Sequence, residues 1–186
     1  MYYNKTKSKK EDCTMKKCLM LVIALLLIGG CSTQKIPNTN ELYLIPNGFE
    51  GTILIFYNVT DTPVLEKEGK YSVIPLIEAS LKQLEGTDIN HYGVYLTSST
   101  FMFEKGASIS NKYYYVDENG KRTPIDEQCT SPTNSGSFTL ENGKEINYQT
   151  IQVTKSLCGQ DFYLDGLDRY KIQEREVLKY WMDNLN

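Results

Sequence analysis

The chain has 186 residues, with 20 basic and 23 acidic side chains and 40% hydrophobic residues. The charge is unevenly spread: residues 1–30 hold six lysines against Glu11 and Asp12, which leaves residues 31–186 with 14 basic and 21 acidic groups, a net charge of −7. An acidic body argues against nucleic acid as a partner, because that binding draws on Lys and Arg neutralising phosphates, and about 155 residues suffice for one domain with its own core.

At the head, Lys16 and Lys17 lead into ten apolar residues, Leu19 to Ile28, followed by Gly29-Gly30-Cys31. A membrane-spanning helix needs roughly 20 apolar residues, so this run is too short to span. A charged start, a short apolar run and small residues at its end form the pattern of a secretory signal. Leu27-Ile28-Gly29-Gly30-Cys31 resembles the lipobox of bacterial lipoprotein precursors. The resemblance implies cleavage between Gly30 and Cys31, diacylglycerol on the Cys31 sulfur, and a domain held outside the cytoplasm with the membrane as its partner. Residues 1–14 depart from the pattern by making the charged segment long, and Met15 serves equally well as a start. One acyl chain binds a membrane only marginally, whereas two or three anchor it durably. Residues 31–41, from the lipid-bearing cysteine through the polar run Ser32 to Glu41, are predicted to be a flexible tether.

From Leu42 to the end a single β-rich domain is predicted. Thr52–Tyr57, Tyr71–Ile74, Tyr92–Leu96 and Lys112–Val116 are rich in β-branched and aromatic residues. Ile77, Leu81 and Leu84 fit a helical stripe, while Ile77, Ala79 and Leu81 fit a strand, and the pattern does not choose between them. Asn119-Gly120 and Asn142-Gly143 suit the left-handed positions of tight hairpins. The second hairpin joins Ser137–Leu140 to Ile146–Val153, where Ile146, Tyr148, Ile151 and Val153 need a bulge to share one face. Short strands separated by turns predict an antiparallel β-sandwich, immunoglobulin- or transthyretin-like. A final amphipathic helix over Gln173–Leu185 places Val177, Leu178, Trp181, Met182 and Leu185 on one face, with Glu174 and Glu176 in its first turn. Its expected role is to cover the sheet and bury the tryptophan.

The segment Leu42 to Phe56, with Ile45-Pro46-Asn47-Gly48-Phe49-Glu50-Gly51 at its centre, resembles the opening of an uncharacterised family of bacterial secreted domains. Those begin with Ile-Pro-x-Gly-aromatic-x-Gly running into a strand, and Tyr113 to Pro124 is similar to a later segment of the same family. No activity comes with this resemblance. Gly48 and Gly51 read as turn and bulge positions.

Cys13 and Cys18 precede the cleavage point and Cys31 takes lipid, so Cys129 and Cys158 remain as an even pair in an exported domain. A disulfide is expected there, restraining the unfolded chain by roughly 3.5 kcal/mol in the loop-entropy treatment. Two cysteines and one histidine are too few for zinc's usual four ligands, and no cofactor is expected. His91 lacks an accompanying nucleophile signature and reads as a turn residue before a strand. Asp161, Asp165 and Asp168 lack the spacing of a calcium loop and read as a solvated turn before the last helix. The 12 tyrosines after Cys31 suit strands, and on an open face they suit a protein or glycan ligand. The reading is therefore a lipid-anchored envelope domain that binds or builds rather than catalyses. The alternative is an envelope hydrolase working through carboxylates or His91.

Overall fold

The computed structural model describes residues 40–101 and 110–185; the signal, the Cys31 site and most of the tether lie outside the described residues. Ten strands alternate with short turns: β1 Glu41–Pro46, β2 Gly51–Tyr57, β3 Lys67–Glu68, β4 Tyr71–Pro75, β5 Ile77–Ser80, β6 His91–Leu96, β7 Lys112–Val116, β8 Arg122–Pro124, β9 Thr130–Thr139 and β10 Glu145–Val153. They form two five-stranded sheets, β3-β4-β1-β7-β8 and β5-β6-β2-β10-β9. A π-helical turn, Phe162–Gly166, runs directly into helix α1, Leu167–Asn184. The expected mainly β fold with a C-terminal helix is thus what forms.

The strand pairing departs from the antiparallel expectation. β1 lies parallel to both β4 and β7, and β2 lies parallel to β6, while the other five pairings are antiparallel. Successive strands β1 and β2 separate into different sheets, so each takes neighbours that arrive later through longer connections. Both Asn-Gly hairpins form as expected, with Gly120 at φ 77° and Gly143 at φ 83°. The ambiguous segment resolves into both elements, a strand through Ser80 and a 3-10 turn at Lys82–Leu84. Leu81 and Leu84 are buried there, while Ile77 is 64% exposed.

Three layers result. Between the sheets, Tyr43, Ile45, Ile74, Tyr113 and Tyr115 meet Ile53, Ile55, Tyr57, Ile151 and Val153. On the far side of the second sheet, Leu54, Phe56, Val94 and Ile146 pack with Val177, Leu178, Trp181 and Leu185 of the helical end. β2 is consequently buried at every residue, which explains why its sequence reads as a continuous apolar run. β10 alternates regularly, with Ile146 and Tyr148 toward the helix and Ile151 and Val153 toward the first sheet. The expected sharing of one face is therefore incorrect. Both faces of β10 are covered, and the register shift opposite Thr150/Ile151 leaves Thr133 of β9 as the extra residue.

The helical end starts earlier than the apolar periodicity indicates, because Phe162 and Tyr170 are buried and draw the first turns onto the sheet. Phe162 packs so tightly on Gly166 that no side chain fits at that position. Asp161, Asp165 and Asp168 accordingly lie on exposed helical turns rather than in a loop. Glu174 does not serve a first turn: its carboxylate accepts hydrogen bonds from Thr133 and Thr150 of the sheet at 2.9 and 3.1 Å.

Candidate functional site

β1, the Asn47–Glu50 turn and β2 define an axis for the domain. The chain enters at Asn40, runs up β1, turns, and descends β2 until Tyr57 reaches Glu41 again. At the upper end, the starts of β2 and β6 and the ends of β1 and β10 surround a polar cleft of about 600 Å³. Its walls carry Glu50, Glu78, Asp88, His91, Ser156 and Arg169.

The turn builds one wall. Gly48 has φ 93° and Gly51 φ 139°, both in the region that favours glycine. A Cβ on Gly51 would stand 3.0 Å from the Gln173 side chain and 3.2 Å from the His91 carbonyl. Phe49 is buried between the sheets, and the Tyr115 hydroxyl donates to its carbonyl at 3.0 Å. Glu50 is left facing the cleft, where it accepts from the Ser156 hydroxyl at 2.6 Å and the Thr154 hydroxyl at 3.1 Å. Partial burial by itself pushes this carboxyl up, but hydrogen bonds from Ser156, the Lys155 backbone and Thr154 together outweigh it. The net result is a carboxyl below its ordinary value.

His91 sits at the start of β6 with Nδ1 3.1 Å from the Glu78 carboxylate, and its side chain is 59% exposed. An oriented imidazole beside an acid is two-thirds of a nucleophile-activating array. The Ser156 hydroxyl of the same cleft donates to Glu50. Arg169 pairs with Asp88 across the same cleft. Among the described residues, no group of three or more His, Cys, Asp or Glu side chains stands ready to hold a metal ion.

Two buried polar clusters escaped the sequence reading. Glu41, read as the end of a tether, opens β1 and is only 7% exposed. Its carboxylate accepts from the Tyr43 hydroxyl at 2.6 Å and the Tyr57 hydroxyl at 2.7 Å, and Gln149 donates to Tyr43 at 2.6 Å. Burial, reinforced by the Glu41 charge, pushes both phenols well up. Gln173 of α1 is wholly buried: it accepts from the Thr52 backbone N–H at 2.7 Å and donates to the Ile89 and His91 carbonyls at 2.6 Å. The one available sequence signal was a polar residue on the apolar side of a helix, and periodicity alone does not distinguish it from a surface residue.

The remaining sites are simpler. Cys129 and Cys158 have their sulfurs 2.02 Å apart and their Cα atoms 4.5 Å apart, which joins the start of β9 to the approach to the helix. Of the 12 tyrosines after Cys31, Tyr43, Tyr57, Tyr92, Tyr113, Tyr115 and Tyr170 are buried, so half serve the core rather than an open platform. No helix among the described residues is long and apolar enough to cross a membrane.

Residues 37–162 match the model of a family of unknown function, DUF6843. The chain belongs to that family. Among solved structures, it is similar to a Bacillus anthracis protein named "Putative Lipoprotein", at 27% identity and a TM-score of 0.62, over 80% of this chain and 94% of that one. Comparison with curated proteins yields no match. The family and this structural relative fit an envelope protein whose specific role is open.

Proposed function

We propose that this DUF6843 protein is a lipoprotein of the bacterial cell envelope, cut between Gly30 and Cys31 and held to the membrane by lipid on the Cys31 sulfur. The β domain then works outside the cytoplasm as a non-enzymatic binding or structural module, with Cys129 and Cys158 bridged in that oxidising setting. The observation that carries this reading is the lipobox-like Leu27–Cys31, which closes the ten-residue apolar run Leu19 to Ile28. The name of the Bacillus anthracis relative supports it. The polar cleft, about six strand residues away from where the chain enters, faces a protein or glycan partner rather than the tether.

Metabolic labelling with a clickable fatty acid tests the anchor. Label is expected on the native chain and none on Cys31→Ala; label on the alanine variant, or none on the native chain, overturns the reading. The hydrolase reading draws on the His91–Glu78 contact, but the His91 ring is largely exposed, whereas such catalysis uses a water-excluded site.

A further inference from the structure

Four strands stand at sheet edges, and three of them are short: β3 has two residues, β8 three and β5 four. The fourth, β9, has ten. Among the described residues it pairs only with β10. A long open edge offers unpaired N–H and C=O groups to another chain, and proteins blunt such edges with charge, proline or a bulge. β9 carries no charged residue from Thr130 to Thr139. Its proline and its bulge, Pro132 and Thr133, both lie in the first half. Beside them the Asn134 side chain accepts from the Ser135 N–H at 2.9 Å. The second half has no such guard. There the Leu140 N–H donates to the Lys144 carbonyl at 2.8 Å, which sets the alternation of the hairpin. Phe138 and Gly136 bond β10, and the backbone groups of Ser135, Ser137 and Thr139 point outward. The side chains of these three residues are exposed.

We propose that this edge pairs with the same edge of a second copy of the chain, antiparallel about a two-fold axis at Ser137, so that the two second sheets become one continuous sheet. The sequence of β9 is complementary to itself in this register, as such an interface requires. Ser137 lies opposite its own mate, and Ser135 lies opposite Thr139 of the other copy, so outward N–H groups meet outward carbonyls. Their hydroxyls face one another across the seam, a favourable cross-strand pairing. On the helix side, half-buried Phe138 comes opposite Gly136 of the other copy. Tyr148 already covers that glycine, because its hydroxyl would stand 2.8 Å from a Cβ there. An aromatic side chain set across from an edge glycine is a favourable pair, and it continues the Phe56, Phe138 and Tyr148 ring cluster over the seam. Charge favours the same occupant. Two bodies with a net charge of −7 after residue 30 repel each other, and an uncharged strand sets no like charges directly opposite. Pro132 and the bulge exclude registers slipped toward the first half.

The test uses the full chain purified in mild detergent. Ser137→Cys puts a thiol on the axis, where the two Cα atoms of a bonded pair stand about 5.5 Å apart, within the span of a disulfide. Copper-catalysed oxidation is expected to shift this variant to twice the chain's mass on a non-reducing gel. Glu118→Cys, exposed in the turn after β7, is expected to stay at the monomer mass. Differently tagged Ser135→Cys and Thr139→Cys chains, when mixed, are expected to link to each other and neither to itself. Mass spectrometry of the Cys129–Cys158 bridge reports that each variant has folded. A folded Ser137→Cys chain that stays at the monomer mass, or links no more than Glu118→Cys, overturns the pairing. Self-linking of the Ser135 or Thr139 variants overturns the register. A Ser137→Cys link to a chain of another mass overturns the second copy as the occupant. None of these outcomes touches the fatty-acid label on Cys31, so the anchor reading stands or falls separately.

Discussion

The two faces of the second sheet are covered by different means. Toward the first sheet the contact is aliphatic and aromatic, with one carboxylate, Glu41, tied down by two tyrosine hydroxyls. Toward the helix the apolar contact is joined by Gln173 and Glu174, whose amide and carboxylate bond the sheet directly. Sheet-on-sheet packing is set by strands whose own backbone groups are already paired. A helix likewise pairs its own backbone groups, so no backbone ladder joins it to the sheet, and on this face the side-chain hydrogen bonds of Gln173 and Glu174 fix its register. The lesson is that buried polar groups here mark the places where apolar shape alone leaves position undetermined.

The strongest way to break the helix-covered face is Phe56→Ala. The ring is fully buried and lies 5.8 Å from the Trp181 ring, and its loss should cost about 3–5 kcal/mol. Chemical denaturation should show the drop together with a red-shifted tryptophan emission. Ile53→Ala, on the opposite face of the same strand, should lower stability without moving that emission. An unshifted emission in the Phe56 variant would mean that the helix holds its place by polar contacts alone.

A smaller effect, about 2–3 kcal/mol, is expected for Gln173→Ala, because it leaves the Thr52 N–H and two carbonyls buried without partners. Hydrogen exchange at the Thr52 amide should rise by a larger factor than at Ile151 and Val153 on the other face. Equal rises at both faces would refute the idea that this residue sets the helix register.

The smallest effect concerns the cleft. Because the Glu50 carboxyl is held below its ordinary value in the folded protein, its share of stability is fully present above the unfolded-state pKa. It is lost as pH falls through the folded value. Ser156→Ala removes the 2.6 Å hydrogen bond and should cost about 1 kcal/mol at neutral pH. Thermal unfolding followed against pH should show the variant converging on the native protein in acid. A gap that persists unchanged below pH 3 would assign the loss to packing instead of the carboxylate.

Much of the local structure was legible. The Asn-Gly turns, most strands and the last three turns of the helix depend on neighbours within a few residues, so their signals lie in short windows. The cleft was not legible, because Glu50, His91, Ser156 and Arg169 come from four separate stretches of chain. Glu41 has the local pattern of a tether for the same reason: its partners Tyr57 and Gln149 lie 16 and 108 residues away.

By itself, the sequence determined a basic, apolar head ending in Cys31, an acidic β-rich body, an even pair of cysteines and an amphipathic end. All of these are properties of residue type and spacing along one segment. Only the tertiary structure decided that β1 and β2 part into different sheets, that three pairings are parallel, and that Gln173 locks the helix to the sheet. Strand partners and the burial of polar groups depend on which distant segments meet, and a chain's local pattern carries no information on that.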